Sequence, residues 1–140
     1  MKRIAGILAL FALSTFAMLA DDLAQLEGKW SAKKTSPEGK SYTQVIEIKK
    51  DKFKFRIVGA NDEVALYAEG TVKVETSGPF NVVKFTDIKA GASESDTQSI
   101  GDDRASIYML GEGTWTVASN MDKERRNYKP SLDLYTKSAK

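Results

Sequence analysis

From Trp30 onward the chain alternates apolar and polar residues with a period of two, and this alternation constrains its fold more than any other feature. Tyr42, Gln44, Ile46 and Ile48 alternate with Thr43, Val45, Glu47 and Lys49, after the turn residues Ser36-Pro37-Glu38-Gly39. Lys50-Asp51-Lys52 then reverses the chain into Phe53, Phe55 and Ile57, so that two strands share one apolar face. Glu63 to Ala68 gives a further strand, with Val64, Leu66 and Ala68 on one side and Tyr67 on the other. Thr71 to Glu75 and Phe80 to Ile88 follow, separated by Thr76-Ser77-Gly78-Pro79. Ser106 to Leu110 and Thr114 to Ala118 flank a Gly111-Glu112-Gly113 turn, and Leu132, Leu134 and Tyr135 mark a closing strand.

The pattern predicts an all-β fold, an up-and-down antiparallel β-barrel of about eight strands with a short N-terminal helical turn. Closure follows from the meander: consecutive hairpins left open would expose two unpaired strand edges. Lys89 to Asp103 offers almost nothing to bury and reads as a long surface loop, and Ser119 to Tyr128 reads as a polar connection. Val45, Val58 and Tyr67 point away from the apolar face; gathered on the outside they would form an apolar patch.

The N-terminus reads as an address. Lys2 and Arg3 precede an uncharged, mostly apolar run from Ile4 to Ala20, which Asp21-Asp22 ends. Residues 1–20 are thus expected to be a signal peptide, cleaved after Ala20 or after Ala17, and 21–140 a single domain in the periplasm or outside the cell. The run is short for a membrane span, so no stable span is expected after cleavage. The whole chain carries 21 basic and 19 acidic residues; without Lys2 and Arg3 the balance is 19 to 19, which makes nucleic acid a poor partner.

Cysteine and histidine are both absent. That removes disulfides, thiol catalysis and the usual general base, along with the commonest metal ligand. The carboxylates Glu94, Asp96, Asp102 and Asp103 lack the spacing of a calcium loop. Ser106 and Ser119 have no histidine to activate them. The residues thus imply no enzyme, no catalytic set, no metal and no cofactor.

Two short stretches frame the barrel. Asp21 to Leu26 forms a helical turn with Leu23 and Leu26 on one side, Gly28 allows a tight bend or a close approach, and Trp30 is the first large inward side chain. The inward candidates Trp30, Tyr42, Gln44, Ile46, Phe53, Phe55, Tyr108 and Trp115 either line a ligand pocket or form plain core, with Ile48, Ile57, Val72, Val74, Phe85 and Val117 beside them. Tyr42, Gln44 and Tyr108 discriminate best, because an inward polar tip needs a partner.

Three blocks, Leu26-Glu27-Gly28-Lys29-Trp30, Glu69-Gly70-Thr71-Val72-Lys73-Val74 with Pro79, and Ser106-Ile107-Tyr108-Met109-Leu110-Gly111-Glu112-Gly113-Thr114-Trp115, resemble the signatures of a lipocalin-like domain family found in planctomycete bacteria. The resemblance covers nearly the whole mature chain and implies an exported barrel whose helical turn plugs the closed end. It also implies a Trp/Arg pair there, Trp30 with Arg125 or Arg126. The chain departs from the family in having Glu112-Gly113 in place of Gly-Asp, and Arg125-Arg126-Asn127-Tyr128 in place of Arg-Pro. Two functions stay open: a non-enzymatic extracytoplasmic module holding a small apolar or amphipathic ligand, or a filled barrel acting as a protein-interaction, inhibitor or envelope-structural module. The sequence names no protein partner.

Overall fold

A computed structural model describes residues 21–121 and 129–138; the expected signal peptide 1–20, Arg125 and Arg126 lie outside the described residues. A short helix α1 (residues 21–26) precedes nine strands: β1 (Gly28–Thr35), β2 (Ser41–Lys49), β3 (Lys52–Gly59), β4 (Val64–Ser77), β5 (Phe80–Ser93), β6 (Asp96–Ser99), β7 (Arg104–Gly111), β8 (Thr114–Ser119) and β9 (Ser131–Lys137). All pairings are antiparallel, each strand to the next, apart from β6. The β1–β9 pairing closes the circuit into an eight-stranded up-and-down barrel of lipocalin-like form.

The alternation fixes which residues face inward, because directly opposed residues in a ladder share a face. Trp30 stands opposite Ile46, which stands opposite Phe55, and Phe55 opposite Ala68. The core gathers Leu26, Trp30, Ile46, Ile48, Phe53, Val72, Val83, Tyr108, Trp115, Val117 and Tyr135. Fully burying each large aliphatic or aromatic side chain contributes about 1.5–3 kcal/mol. The charged residues of β2 to β5 turn outward, where Arg56 pairs with Glu47 at 3.2 Å and Lys84 with Glu75 at 2.9 Å.

Two glycines are required where they stand. Gly28 has φ +124°, and a Cβ there would come within 3.0 Å of the Lys137 side chain, so it supplies both the bend and the close approach. At Gly70 the β4–β5 register shifts, and a Cβ would meet the Thr86 carbonyl oxygen at 2.5 Å. Through that bulge β4 runs on as one strand of 14 residues, joining the two shorter strands that the sequence pattern separates.

The segment after Ile88 departs from expectation. Instead of a loop from Lys89 to Asp103, β5 extends to Ser93 and turns back as β6, which stands outside the closed circuit on the β5 edge. Backbone pairing with β4 on one side and β6 on the other orders a stretch with little to bury. No apolar patch forms from Val45, Val58 and Tyr67 either. Tyr67 is only 1% exposed, with the Arg56 guanidinium 5.4 Å from its ring centre, although its hydroxyl has no hydrogen-bond partner among the described residues.

Candidate functional site: a two-sided barrel cavity

One end of the barrel is closed by α1. Leu26 is fully buried there, and its carbonyl oxygen accepts a 2.8 Å hydrogen bond from Trp30 Nε1. The Tyr108 hydroxyl donates to Asp22 Oδ2 at 2.7 Å, and Lys137 Nζ donates to the Gln25 carbonyl at 3.1 Å. Lys137 also lies 5.4 Å from the centre of the Trp30 ring, so among the described residues a cation from the last strand stands on this tryptophan. Burial and then the hydrogen bond and charge of Asp22 push the Tyr108 phenol well above its ordinary value of 10.0. Two of the inward residues, Trp30 and Tyr108, are therefore closing elements, each with its polar atom satisfied.

The other half of the barrel holds a cavity of about 420 Å³, within the range of about 300–1,000 Å³ usual for small-molecule sites. It reaches the ends of β3 and β8 and the starts of β4, β7 and β9, which together form the mouth opposite α1. One wall, from β3 to β5, is apolar: Phe53, Phe55, Ile57, Leu66, Phe85 and Ile88 line it. Phe53 and Phe85 meet edge to face with centres 4.8 Å apart. The opposite arc is polar, with Gln44 on β2, Ser106 on β7, Ser119 on β8, and Ser131, Asp133 and Tyr135 on β9.

The polar arc is internally bonded. The Tyr135 hydroxyl donates to Gln44 Oε1 at 2.9 Å, which leaves the Gln44 amide nitrogen as an available donor. The hydroxyls of Ser106 and Ser119 are 2.8 Å apart. Lys34 reaches across from β1 to form an ion pair with Asp133. Burial, then the charge of Asp133, raises the Tyr135 phenol well above 10.0, so it stays a neutral donor. On the floor Trp115 packs against Trp30 and Tyr135, with ring centres 5.8 and 5.4 Å away; its Nε1 is buried without a hydrogen-bond partner among the described residues.

The chain matches no protein-family model, no curated protein and no solved structure. The chemistry of the cavity itself must carry the functional reading.

Of the eight candidate lining residues, Gln44, Ile46, Phe53, Phe55 and Trp115 border the cavity; Trp30, Tyr42 and Tyr108 do not. Tyr42 is half-buried at the start of β2, opposite Lys34 and Gly59. From the sequence the Lys33-Lys34 pair reads as a solvated strand end, Asp133 draws no notice, and Tyr135 only marks a strand. On β9 the leucines drew attention, yet Leu132 and Leu134 are 70% and 58% exposed, while Ser131, Asp133 and Tyr135 face the cavity. Counting the alternation from Tyr135 instead of from the leucines would have found them.

Elsewhere the acidic residues have other partners. Glu94 bonds Lys54 at 2.8 Å, which holds its carboxyl below the ordinary range, and Asp102 faces Arg104 at 3.8 Å. A second, open groove of about 760 Å³ lies outside the barrel beside the β2–β3 turn, lined chiefly by charged chains such as Lys50, Lys52 and Glu69.

Proposed function

We propose that this protein is a non-enzymatic, exported binding module that takes a small amphipathic molecule into its barrel through the end opposite α1. The observation that carries the reading is the 420 Å³ cavity, whose apolar β3–β5 wall faces a polar arc with hydrogen-bonding capacity to spare. A filled barrel would have brought both walls together at core density, as happens around Trp30 at the closed end. Absence of histidine and cysteine from the sequence supports binding over catalysis, and the apolar leader supports export.

The test is a titration with a neutral dye whose fluorescence rises in apolar surroundings, such as N-phenyl-1-naphthylamine, on the mature wild type and on A90W. Ala90 lines the cavity, so a tryptophan there occupies its volume. Saturable one-site binding in the wild type that disappears in a folded A90W supports the proposal; an absence of saturable binding in the wild type overturns it.

A second reading has one observation in its favour. Leu134 lies across from Thr116, and Thr116 across from Met109, while Leu132, Ala118 and Ile107 form the adjacent row. These rows face outward, and Leu132, Leu134 and Met109 are all largely exposed. Such a face suits a protein partner. Concentration-dependent mass in analytical ultracentrifugation, abolished by L134E, would favour it for self-association.

A further inference from the structure

We infer that the Lys34–Asp133 ion pair selects the charge of the ligand, so that the cavity takes uncharged amphiphiles and rejects their ionised counterparts. This rests on the binding reading above and extends it to a class of ligand and two specificity-determining residues.

β1 and β9 meet at the seam that closes the barrel. Trp30 with Lys137 and Ser31 with Thr136 pair across it, and Ser138 N donates to the Lys29 carbonyl oxygen at 2.8 Å, all near the closed end. The same register continued toward the mouth brings Lys34 opposite Asp133, beyond the last backbone pair. Their side chains span the seam there, on the inner face, since Lys34 lies opposite Tyr42 in the row that follows Trp30 with Ile46 and Ala32 with Gln44. Asp133 lines the cavity and its side chain is 13% exposed; that of Lys34 is 29% exposed.

Each charge therefore has its partner within the protein. An incoming carboxylate gains little from Lys34, whose ammonium Asp133 already engages, and it meets the Asp133 charge directly. An incoming ammonium meets Lys34 in the same way. Either ion also loses its hydration against the Phe55, Ile57 and Phe85 wall with no unpaired countercharge to replace it. Arg104 is the cation that borders the cavity itself, opposite Phe85 at the mouth, but its side chain is half exposed and faces Asp102. It is a solvated rim group, screened by water.

The free capacity of the polar arc is neutral. With Gln44 Oε1 taken by Tyr135, the Gln44 amide nitrogen remains to donate to a carbonyl or hydroxyl oxygen. Of the hydrogen-bonded Ser106 and Ser119, one hydroxyl proton remains to donate in the same way. A hydroxyl or carbonyl oxygen on an apolar body is what these groups recognise.

The test is displacement of the neutral dye, at pH 8, by three molecules with the same ten-carbon chain: 1-decanol, decanoate and decylamine. The wild type should bind the alcohol roughly tenfold or more tightly than either ion, as follows from burying an ion without a countercharge. D133N leaves Lys34 unpaired and should move the ratio toward decanoate by roughly tenfold. The double variant K34M/D133L, in which neither charge remains, should still prefer the alcohol. A pair that merely staples the seam would weaken all three molecules alike in D133N and leave their ratio unchanged, and that result would overturn the inference. So would a wild type that prefers decanoate or decylamine, which leaves the binding reading standing. Dye binding with displacement by none of the three overturns the ligand class, whereas a wild type that fails to bind the dye at all removes the binding reading itself.

Discussion

The two walls of this barrel solve opposite problems. From β3 to β5 the strands place Phe53, Phe55, Ile57 and Phe85 inside and charged residues such as Lys54, Arg56 and Lys84 outside. Across the cavity the assignment inverts: β9 turns Ser131, Asp133 and Tyr135 inward and leaves Leu132 and Leu134 in water. Burial of apolar surface dominates folding, so the first wall needs no explanation beyond stability. On β9 the second forgoes part of that gain, with Ser131 and Asp133 inside and two leucines outside. The proposed binding role accounts for it, with polar groups inside held by the Tyr135–Gln44 hydrogen bond and the Lys34–Asp133 pair.

The contrast is broken most directly by truncating one side chain from each wall. Phe53 is 5% exposed and meets Phe85 edge to face, so F53A should lose about 3–5 kcal/mol in urea unfolding. L134A on the inverted strand should change stability by no more than about 0.5 kcal/mol. Similar losses at the two positions would mean that the outer face of β9 is covered in solution.

Next in size is an alkaline effect that sharpens the picture of the polar side. Tyr108 and Tyr135 both have phenols raised above 10.0, first by burial. Because the folded state favours their neutral form, the stability they contribute is fully present below pH 10.0 and is lost as pH rises through the raised folded values. In a spectrophotometric titration the last phenolates should therefore appear together with unfolding. Reversible ionisation of every tyrosine near pH 10, with the fold intact, would contradict the buried hydrogen bonds of both.

A modest effect belongs to the closed end. K137M removes the cation beside Trp30, an interaction that contributes about 0.5–1 kcal/mol at an exposed site. A loss of that size in thermal unfolding, with dye affinity unchanged, would separate closure from binding.

The same inversion decided how much of the molecule was legible in the sequence. The barrel was readable because β2, β3 and β8 alternate as half-buried strands do, with tight turns at Lys50-Asp51 and Glu112-Gly113 between strands. Gln44 was readable too, as an inward polar tip that needs a partner. The β5–β6 hairpin was hidden because its order comes from backbone pairing on both edges of β5, which leaves no apolar signature. Lys34 and Asp133 were hidden because hydrophobic patterning assigns leucines to the inside, and β9 does the reverse. Their pairing spans almost the length of the domain and exists only once β9 closes on β1.

The most direct test of the central claim, that the inverted wall serves a bound small molecule, is native mass spectrometry of the mature protein recovered gently from its own host and compared with the same sample after denaturation. The account predicts a reproducible small-molecule adduct that denaturation removes, and whose mass begins to identify it. A bare protein mass from repeated preparations would contradict the account and move attention to the exposed leucines of β9.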